Sequence, residues 1–308
     1  MKEFVLNYYP LFKCIAQDCK HTCCAGWQVY IDEKTLQGYK KETSPFSSEL
    51  KGAINFKKGR FRTDGKGRCA LLDERGLCKI IKNLGEQNLC QVCRDHPRFR
   101  SFFSGITETE TGLGFCCQEA TRIILSFPEK IAPVLVFSDG KEEKLGFLEE
   151  KVIEFRERAL AIVQNREESI SRRIHALLSL CNATVTKSDG KRIVKFFFSL
   201  ARLDKAWTKM LKTVDGKSLI GDTDERYALA CEQFLVNCIY RYASGADDTA
   251  SVRARTLACV FAWWIVKAVA CSNGDIIESA RAFSAEVEYN QKNLARLFAF
   301  CNRFIKIG

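Results

Sequence analysis

Ten of the sixteen cysteines of this 308-residue chain lie in its first 117 residues, and several are spaced as metal ligands often are. Four of the ten fall within eleven residues that begin at Cys14, and there Cys19 and Cys23 lie one helical turn apart. Cys90 and Cys93 have the two-residue separation that is common in zinc and iron–sulfur sites. Thiols at this density usually serve a metal or a disulfide framework, so the sequence predicts inorganic chemistry here.

The donor types in this region favour sulfur over nitrogen. Only His21 and His96 fall among the ten cysteines, so an all-thiolate site is expected. Soft thiolates suit zinc and iron–sulfur clusters alike, and the residues leave both open. The side chains of neighbours diverge in the pairs Cys23–Cys24 and Cys116–Cys117, so either one member of each pair is a ligand or two sites lie close together. The remaining six cysteines fall in apolar helical stripes and are predicted to be core thiols: Cys181, Cys231, Cys238, Cys259, Cys271 and Cys301.

Several signatures of other enzyme classes are missing. Cys23 is followed directly by Cys24, so the Cys-x3-Cys-x2-Cys motif of radical enzymes that use S-adenosylmethionine does not occur. No glycine-rich turn of the dinucleotide-binding type follows a predicted strand. The three histidines stand apart from one another and from any obvious nucleophile, which gives little support for a catalytic triad.

The composition is that of an ordinary globular protein, with 46% apolar and 28% charged residues. The net charge of +11 suits an acidic partner, protein or nucleic acid, without selecting either. The first residues lack the layout of a signal peptide, so a cytoplasmic location is expected, where thiols stay reduced and bind metals more often than they form disulfides. The apolar run 257–271 is too short to span a bilayer and predicts a buried helix.

The elements that must position the thiols fall into two regions. All five prolines lie before residue 134, which predicts a domain boundary at 135–145. We expect a mainly α fold, with a small cysteine-rich α+β domain pinned by metal over residues 1–135 and an all-helical domain over 145–308. Asp32 is predicted to cap a short helix, and residues 68–80 to form a strand, a tight turn and a second strand. Apolar periodicity predicts the later helices: 147–163, 169–180, 192–214, 225–242, 251–270 and 275–305, with the division of the third and of the last into two helices left open.

The order of the cysteine motifs resembles that of a known family. The start, Cys14-x4-Cys19-x3-Cys23-Cys24-x2-Trp27, is similar to the start of the flagellin lysine-N-methylase family, which is related to small zinc- and iron-chelating cysteine-cluster proteins. Four further segments match in the same order: Cys69-Ala-Leu-Leu with Leu77-Cys78-x-Ile80, Leu84-Gly85-Glu86, Cys93-x2-His96-Pro97-Arg98, and Cys117-Gln-Glu119-Ala120-x-Arg122. Together these motifs cover residues 4–125.

The resemblance implies a methyltransferase that uses S-adenosylmethionine to modify lysine side chains of flagellin. Flagellin is then the expected partner, and neither nucleic acid nor a membrane is. The family pattern also implies an iron–sulfur centre, expected to be of the 4Fe–4S type, with zinc as the alternative. In that pattern Cys90 and Cys116 are additional to the ligands. The implied metal ligands are Cys14, Cys19, Cys23, Cys24, Cys69, Cys78, Cys93 and Cys117.

Methyl transfer to lysine needs a neutral amine and an in-line attack on the methyl group of the sulfonium. Tyr30, Asp32 and Glu119 lie near the cysteine motifs in the sequence and are the predicted catalytic residues. Each also has a structural alternative. Asp32 would cap its helix, Glu119 would pair with Arg122, and Tyr30 would lie at the edge of the core.

Two other functions remain open at this point. One is a non-catalytic metal-binding module that docks an acidic protein or a nucleic acid through a basic surface, supported by the basic and aromatic stretches 57–62 and 94–100. The other is a redox protein whose cluster only carries electrons. Binding of S-adenosylmethionine would distinguish the methyltransferase from both.

Overall fold

A computed structural model describes most of the chain, and helices dominate it. The described residues are 1–15, 18–25, 28–65, 67–102, 108–140 and 146–306. Trp27 and the final part of the predicted boundary region, residues 141–145, lie outside them. The prediction of a mainly α fold is confirmed.

The chain divides into two compact units by its internal contacts. The cysteine-rich unit comprises Lys13–Arg98, and the helical unit comprises Met1–Phe12 together with Phe99–Gly308. This division does not coincide with the predicted boundary at 135–145. The physical reason is burial, because Leu6 and Phe115 are fully buried in the same apolar core as the C-terminal helices.

Strands and helices are numbered along the chain. Within the described residues the strands are β1 (Lys2–Leu6), β2 (Ile54–Asn55), β3 (Arg60–Phe61), β4 (Arg98–Phe102), β5 (Glu108–Leu113) and β6 (Pro133–Ser138). The α-helices there are α1 (Glu33–Lys41), α2 (Ser47–Gly52), α3 (Lys79–Leu84), α4 (Gln91–Asp95), α5 (Gln118–Ser126), α6 (Phe147–Val163), α7 (Ile170–Leu180), α8 (Gly190–Phe198), α9 (Lys205–Lys212), α10 (Ala228–Ala243), α11 (Thr249–Asn273), α12 (Ile276–Phe283) and α13 (Gln291–Asn302).

The cysteine-rich unit combines short elements with a small apolar core. Helix α1 begins after Asp32, whose Oδ1 accepts a hydrogen bond from the backbone N–H of Thr35 at 3.0 Å, so the predicted cap is confirmed. Of the strand, tight turn and strand predicted over 68–80, the tight turn after Asp73 is confirmed. The two strands are wrong, because their residues form only isolated bridges and helix α3 begins at Lys79. Gly76 completes this turn with a φ of +78°, a conformation that favours glycine.

The helical unit contains a four-stranded sheet in the order β4-β5-β1-β6. Strand β1 is parallel to β5 and antiparallel to β6, where Val5 pairs with Val134. Residues 133–138, which overlap the start of the predicted boundary region 135–145, form strand β6. They are a run of β-forming residues that finds a pairing partner in the first strand of the chain.

The helices beyond residue 146 agree closely with the predicted ones. Helix α6 has the predicted bounds, and Ser169 caps α7 by accepting from the N–H of Arg172. The region 192–214 divides into α8 and α9, and 275–305 divides into α12 and α13 around the π-helical turn Ser284–Glu288. Helix α11 is long and apolar enough to cross a membrane, but 83% of its most apolar window is buried in the protein, which confirms the predicted buried helix.

Candidate functional site

Backbone contacts in the cysteine-rich unit bring three of the predicted thiol ligands together. The N–H of Cys69 donates to the carbonyl oxygen of Cys24 at 2.8 Å, next to a bridge between Ala25 and Arg68. The turn after Cys69 then returns the chain, so that Leu72 forms a bridge with Cys78. Three cysteines from positions spread over 55 residues of sequence therefore share one region of the unit.

A second segment adds two more thiols to this region. Cys90 is the residue before helix α4, and it is fully buried in the apolar core against which Cys69, Cys78 and Cys93 pack. The segment is fixed to α1 by two hydrogen bonds. The N–H of Gln91 donates to Asp32 Oδ2 at 2.8 Å, and the hydroxyl of Tyr39 donates to the carbonyl oxygen of Asn88 at 2.6 Å.

Neighbouring thiols of this region shift each other's pKa values. Cys23 and Cys24 lie with their sulfur atoms 3.9 Å apart, and the hydrogen bond from Cys24 lowers the pKa of Cys23 to about 7. That same bond, followed by burial and the charges of Cys23, Cys78 and Cys69, raises the pKa of Cys24. One thiol of the pair therefore ionises readily and leaves the other protonated.

The second pair behaves in the same way. The hydrogen bond from Cys93 lowers the pKa of Cys90, while the bond to Cys90, burial and the neighbouring thiols raise the pKa of Cys93. Burial raises the pKa values of Cys69 and Cys78, and neighbouring thiols raise them further. Six thiols thus lie within electrostatic range of one another: Cys23, Cys24, Cys69, Cys78, Cys90 and Cys93.

This thiol cluster, as we call those six residues, has the donor chemistry of a soft-metal site. Ionisation of several of its thiols is opposed by their mutual repulsion, and a bound cation would relieve that repulsion. Within the described part of the chain, however, no three cysteine, histidine, aspartate or glutamate side chains converge as closely as ligands of one ion do. The cluster therefore fits a metal in its donor types, and its arrangement is not that of a closed coordination sphere.

The other predicted ligands are placed differently. Cys14 is exposed, and Cys19 is half-buried. Cys117 lies in the helical unit, where it is the residue before α5. Its neighbour Cys116 is hydrogen-bonded to Tyr289, and burial raises the pKa of Cys116 to about 12.

Cys90 is the member of the cluster that the family resemblance treats as additional. Its Cys90-x2-Cys93 spacing already indicated a ligand, so the signal was present in the sequence. Of the six cysteines predicted as core thiols, Cys271 is exposed and that prediction is wrong for it. The other five are buried as predicted: Cys181, Cys231, Cys238, Cys259 and Cys301.

The three predicted catalytic residues are divided between the two units. Tyr30 and Asp32 lie in the cysteine-rich unit, and Glu119 lies in the helical unit. Tyr30 is 60% exposed, with its hydroxyl 3.3 Å from Gln28 Oε1. Glu119 is buried and accepts two hydrogen bonds from Arg122, at 2.6 and 2.8 Å, as in its structural alternative.

Asp32 also has a structural role that occupies its carboxylate. Burial would raise the pKa of Asp32, but hydrogen bonds from the N–H groups of Gln91 and Thr35 outweigh burial and lower the pKa. Both carboxylate oxygens are thus held by backbone donors, one at the start of α1 and one at the start of α4. A carboxylate with a lowered pKa and two such donors is a poor proton acceptor at neutral pH.

Replacing Asp32 with alanine is expected to lower the free energy of unfolding of the cysteine-rich unit by about 2 kcal/mol, because a helix cap and a second hydrogen bond are lost together. Asp32→Asn keeps one acceptor oxygen and is expected to cost about half as much. Denaturant unfolding measures both values, with the exposed Glu33→Gln as the control in the same helix. An Asp32→Ala variant as stable as the control would contradict the structural role.

Comparisons with curated proteins bear on the function. A lysine-N-methylase of Salmonella typhimurium is 29% identical over 143 residues, which are 43% of this chain and 35% of that protein. A lysine-N-methylase of Salmonella choleraesuis is 30% identical over 143 residues, again 43% of this chain and 35% of that protein. The flagellar biosynthetic protein FliU of Salmonella muenchen is 29% identical over 143 residues, or 83% of its length. The chain is related to the flagellin lysine-N-methylase family. The resemblance predicted from the cysteine motifs is confirmed.

The extent of these matches is limited. The matched stretch spans about a third of the length of the two lysine-N-methylases and less than half of this chain. No family profile matches the chain, and no solved structure matches it. The relationship therefore concerns part of the chain, and the activity of the whole protein is a matter for proposal.

Proposed function

We propose that this protein is a lysine methyltransferase that transfers methyl groups from S-adenosylmethionine to lysine side chains of flagellin. The observation that carries the proposal is its relationship to two proteins named lysine-N-methylase and to one named flagellar biosynthetic protein. The net charge of +11 would help such an enzyme gather an acidic protein partner. The proposed location is the cytoplasm.

The proposed reaction is a direct displacement at the methyl carbon. The neutral lysine amine attacks that carbon, the carbon–sulfur bond breaks, and S-adenosylhomocysteine leaves with the electron pair. The proton lost from the lysine nitrogen passes to a base or to water. Since Asp32 and Glu119 are held in structural hydrogen bonds, the exposed hydroxyl of Tyr30 is the predicted group best placed to meet a substrate.

We also propose that thiols of the cysteine-rich unit hold a metal centre that is structural. The mutual repulsion of the six cluster thiols supports a resident cation, and the small core of the unit supports a role in folding. An iron–sulfur cluster is the proposed group, with zinc as the alternative. Cys23, Cys24, Cys69, Cys78 and Cys93 are the proposed ligands common to the family pattern and to the thiol cluster. Cys90 would join them.

Binding of S-adenosylmethionine by the full-length protein tests the methyltransferase proposal against the binding-module alternative. Isothermal titration of anaerobically purified protein should give saturable binding, and S-adenosylhomocysteine should compete for the same site. Adenosine alone serves as the control, because it lacks the methionine part and should bind more weakly. Protein that is folded and has its metal but does not bind S-adenosylmethionine would favour the non-catalytic module.

A further inference from the structure

A cavity of about 350 Å³ lies in the helical unit, and none of the residues assigned a role above lines it. It is formed by helices α6, α7 and α11. Phe155 and Leu180 supply its apolar wall, and its charged side chains are mainly basic. Lys151, Arg158 and Arg253 line it, and Glu154 is its one acidic lining residue.

Two arginines of this cavity have unused hydrogen-bonding capacity. The Nε atom of Arg253 is buried from solvent and has no hydrogen-bond partner in the described part of the chain. A buried donor left without an acceptor costs free energy, roughly 1–3 kcal/mol, so an acceptor that reached this atom from a ligand in the cavity would be favoured. Arg158 is exposed at the same cavity, where the Glu154 carboxylate one helical turn before it attracts it without a close ion pair.

The charges around the cavity leave a positive excess. Glu154 pairs with Lys151 at 2.9 Å and also attracts Arg158, so its single negative charge offsets one of the three basic charges and a positive excess remains. Thr249, at the first turn of the 25-residue helix α11, also lines the cavity and adds the positive end of the helix dipole. Asp248 lies just before that turn and reduces its field, but its Oδ1 is engaged by the N–H of Ser251 at 2.7 Å.

We propose that this cavity binds the anionic group of a small ligand, a phosphate or a carboxylate, between Arg158 and Arg253. A guanidinium presents paired N–H donors that match the oxygens of either group. The apolar wall of Phe155 and Leu180 would accept the uncharged part of the ligand. The inference is independent of the proposed methyltransferase activity, since it rests only on residues of this cavity.

Titration of the full-length protein with inorganic phosphate and, separately, with succinate tests the proposal, at an ionic strength held constant with sodium chloride. At least one anion should bind saturably, and the tighter of the two identifies the class of group. Arg158→Ala should weaken that binding about tenfold, because a charge-assisted pair of hydrogen bonds is lost. Arg253→Gln should weaken it similarly, and its thermal unfolding shows whether the variant is folded.

Arg303→Ala is the matched control, since Arg303 is exposed and lies outside the cavity. It should bind the anion as the unaltered protein does. Binding of S-adenosylmethionine is measured in the same Arg158→Ala variant, and an equal loss there would identify the carboxylate of the methyl donor as the bound group. Absence of saturable binding by both anions, or equal binding by Arg158→Ala and Arg303→Ala, would overturn the proposal.

Discussion

Replacing Cys93 with serine is expected to remove most of the bound metal and to destabilise the cysteine-rich unit by about 3 kcal/mol or more. Cys93 interacts with Cys90, Cys24 and Cys78, so its loss would open the thiol cluster at its centre. Binding of a structural zinc ion contributes roughly 10–16 kcal/mol to folding, shared among about four ligands, so the loss of one thiolate is expected to cost about 3 kcal/mol or more. Metal analysis and denaturant unfolding of anaerobically purified protein measure the two effects.

Cys271→Ser is the matched control for this experiment. Cys271 is exposed near the end of α11, in the helical unit, and the substitution should leave metal content and stability unchanged. Cys90→Ser tests the assignment that the structure adds to the family pattern, and we expect it to behave like Cys93→Ser. Equal metal content in Cys93→Ser and Cys271→Ser would contradict a metal centre at the thiol cluster.

The second large effect is expected at a buried ion pair of the helical unit. Glu232, on α10, is 2% exposed, and its Oε2 accepts a hydrogen bond from Arg173 Nη1 at 2.7 Å while its Oε1 accepts from Arg166 at 2.7 Å. Arg173, on α7, is also buried. Glu232→Gln would leave the charge of Arg173 without its counter-charge, so we expect a loss of about 3–5 kcal/mol in the free energy of unfolding.

Glu168→Gln provides the comparison for Glu232→Gln. Glu168 pairs with Arg172 at 3.1 Å, but their side chains are 45% and 77% exposed, so water screens the pair. Its loss should cost at most about 1 kcal/mol. Denaturant unfolding of both variants, followed by circular dichroism, gives the two values. Equal costs for the two substitutions would show that burial of Glu232 does not determine its contribution.

Local signals in the sequence predicted the helices well. Apolar residues at three- and four-residue steps gave the bounds of α6, and the position of Asp32 gave the start of α1. Both signals act within a few residues, so a single sequence contains them in full. The burial of α11 was predicted from the apolar run 257–271, which is too short to span a bilayer.

Long-range pairing was not predicted. β1 and β6 form neighbouring strands although more than a hundred residues separate them, and no local pattern identifies that partner. The sequence of β6 has no alternation of apolar and polar residues, which is the pattern that predicts a strand with one buried face. In the structure all six of its residues are exposed. The placement of residues 99–138 in the helical unit depends on such contacts, whereas the predicted boundary at 135–145 rested on the distribution of the prolines.

The sequence predicted that the candidate site consists of cysteines, but it predicted only in part which cysteines lie together. Spacing identified Cys90 and Cys93 as a pair, while the meeting of Cys24 with Cys69 and Cys78 depends on backbone bridges between distant segments. The structural engagement of Asp32 by Gln91 likewise joins residues 59 positions apart. Such contacts are set by tertiary packing, which a single sequence does not reveal.

Transfer of a labelled methyl group to flagellin tests the proposed function most directly. The anaerobically purified full-length protein is incubated with flagellin and S-adenosylmethionine that carries a deuterated methyl group, and flagellin lysines are then analysed by mass spectrometry. We expect deuterated methyl groups on surface lysines, at equal rates with oxidised and reduced enzyme if the metal centre is structural. Absence of the label from every flagellin lysine, with protein that is folded and has its full metal content, would contradict the methyltransferase function.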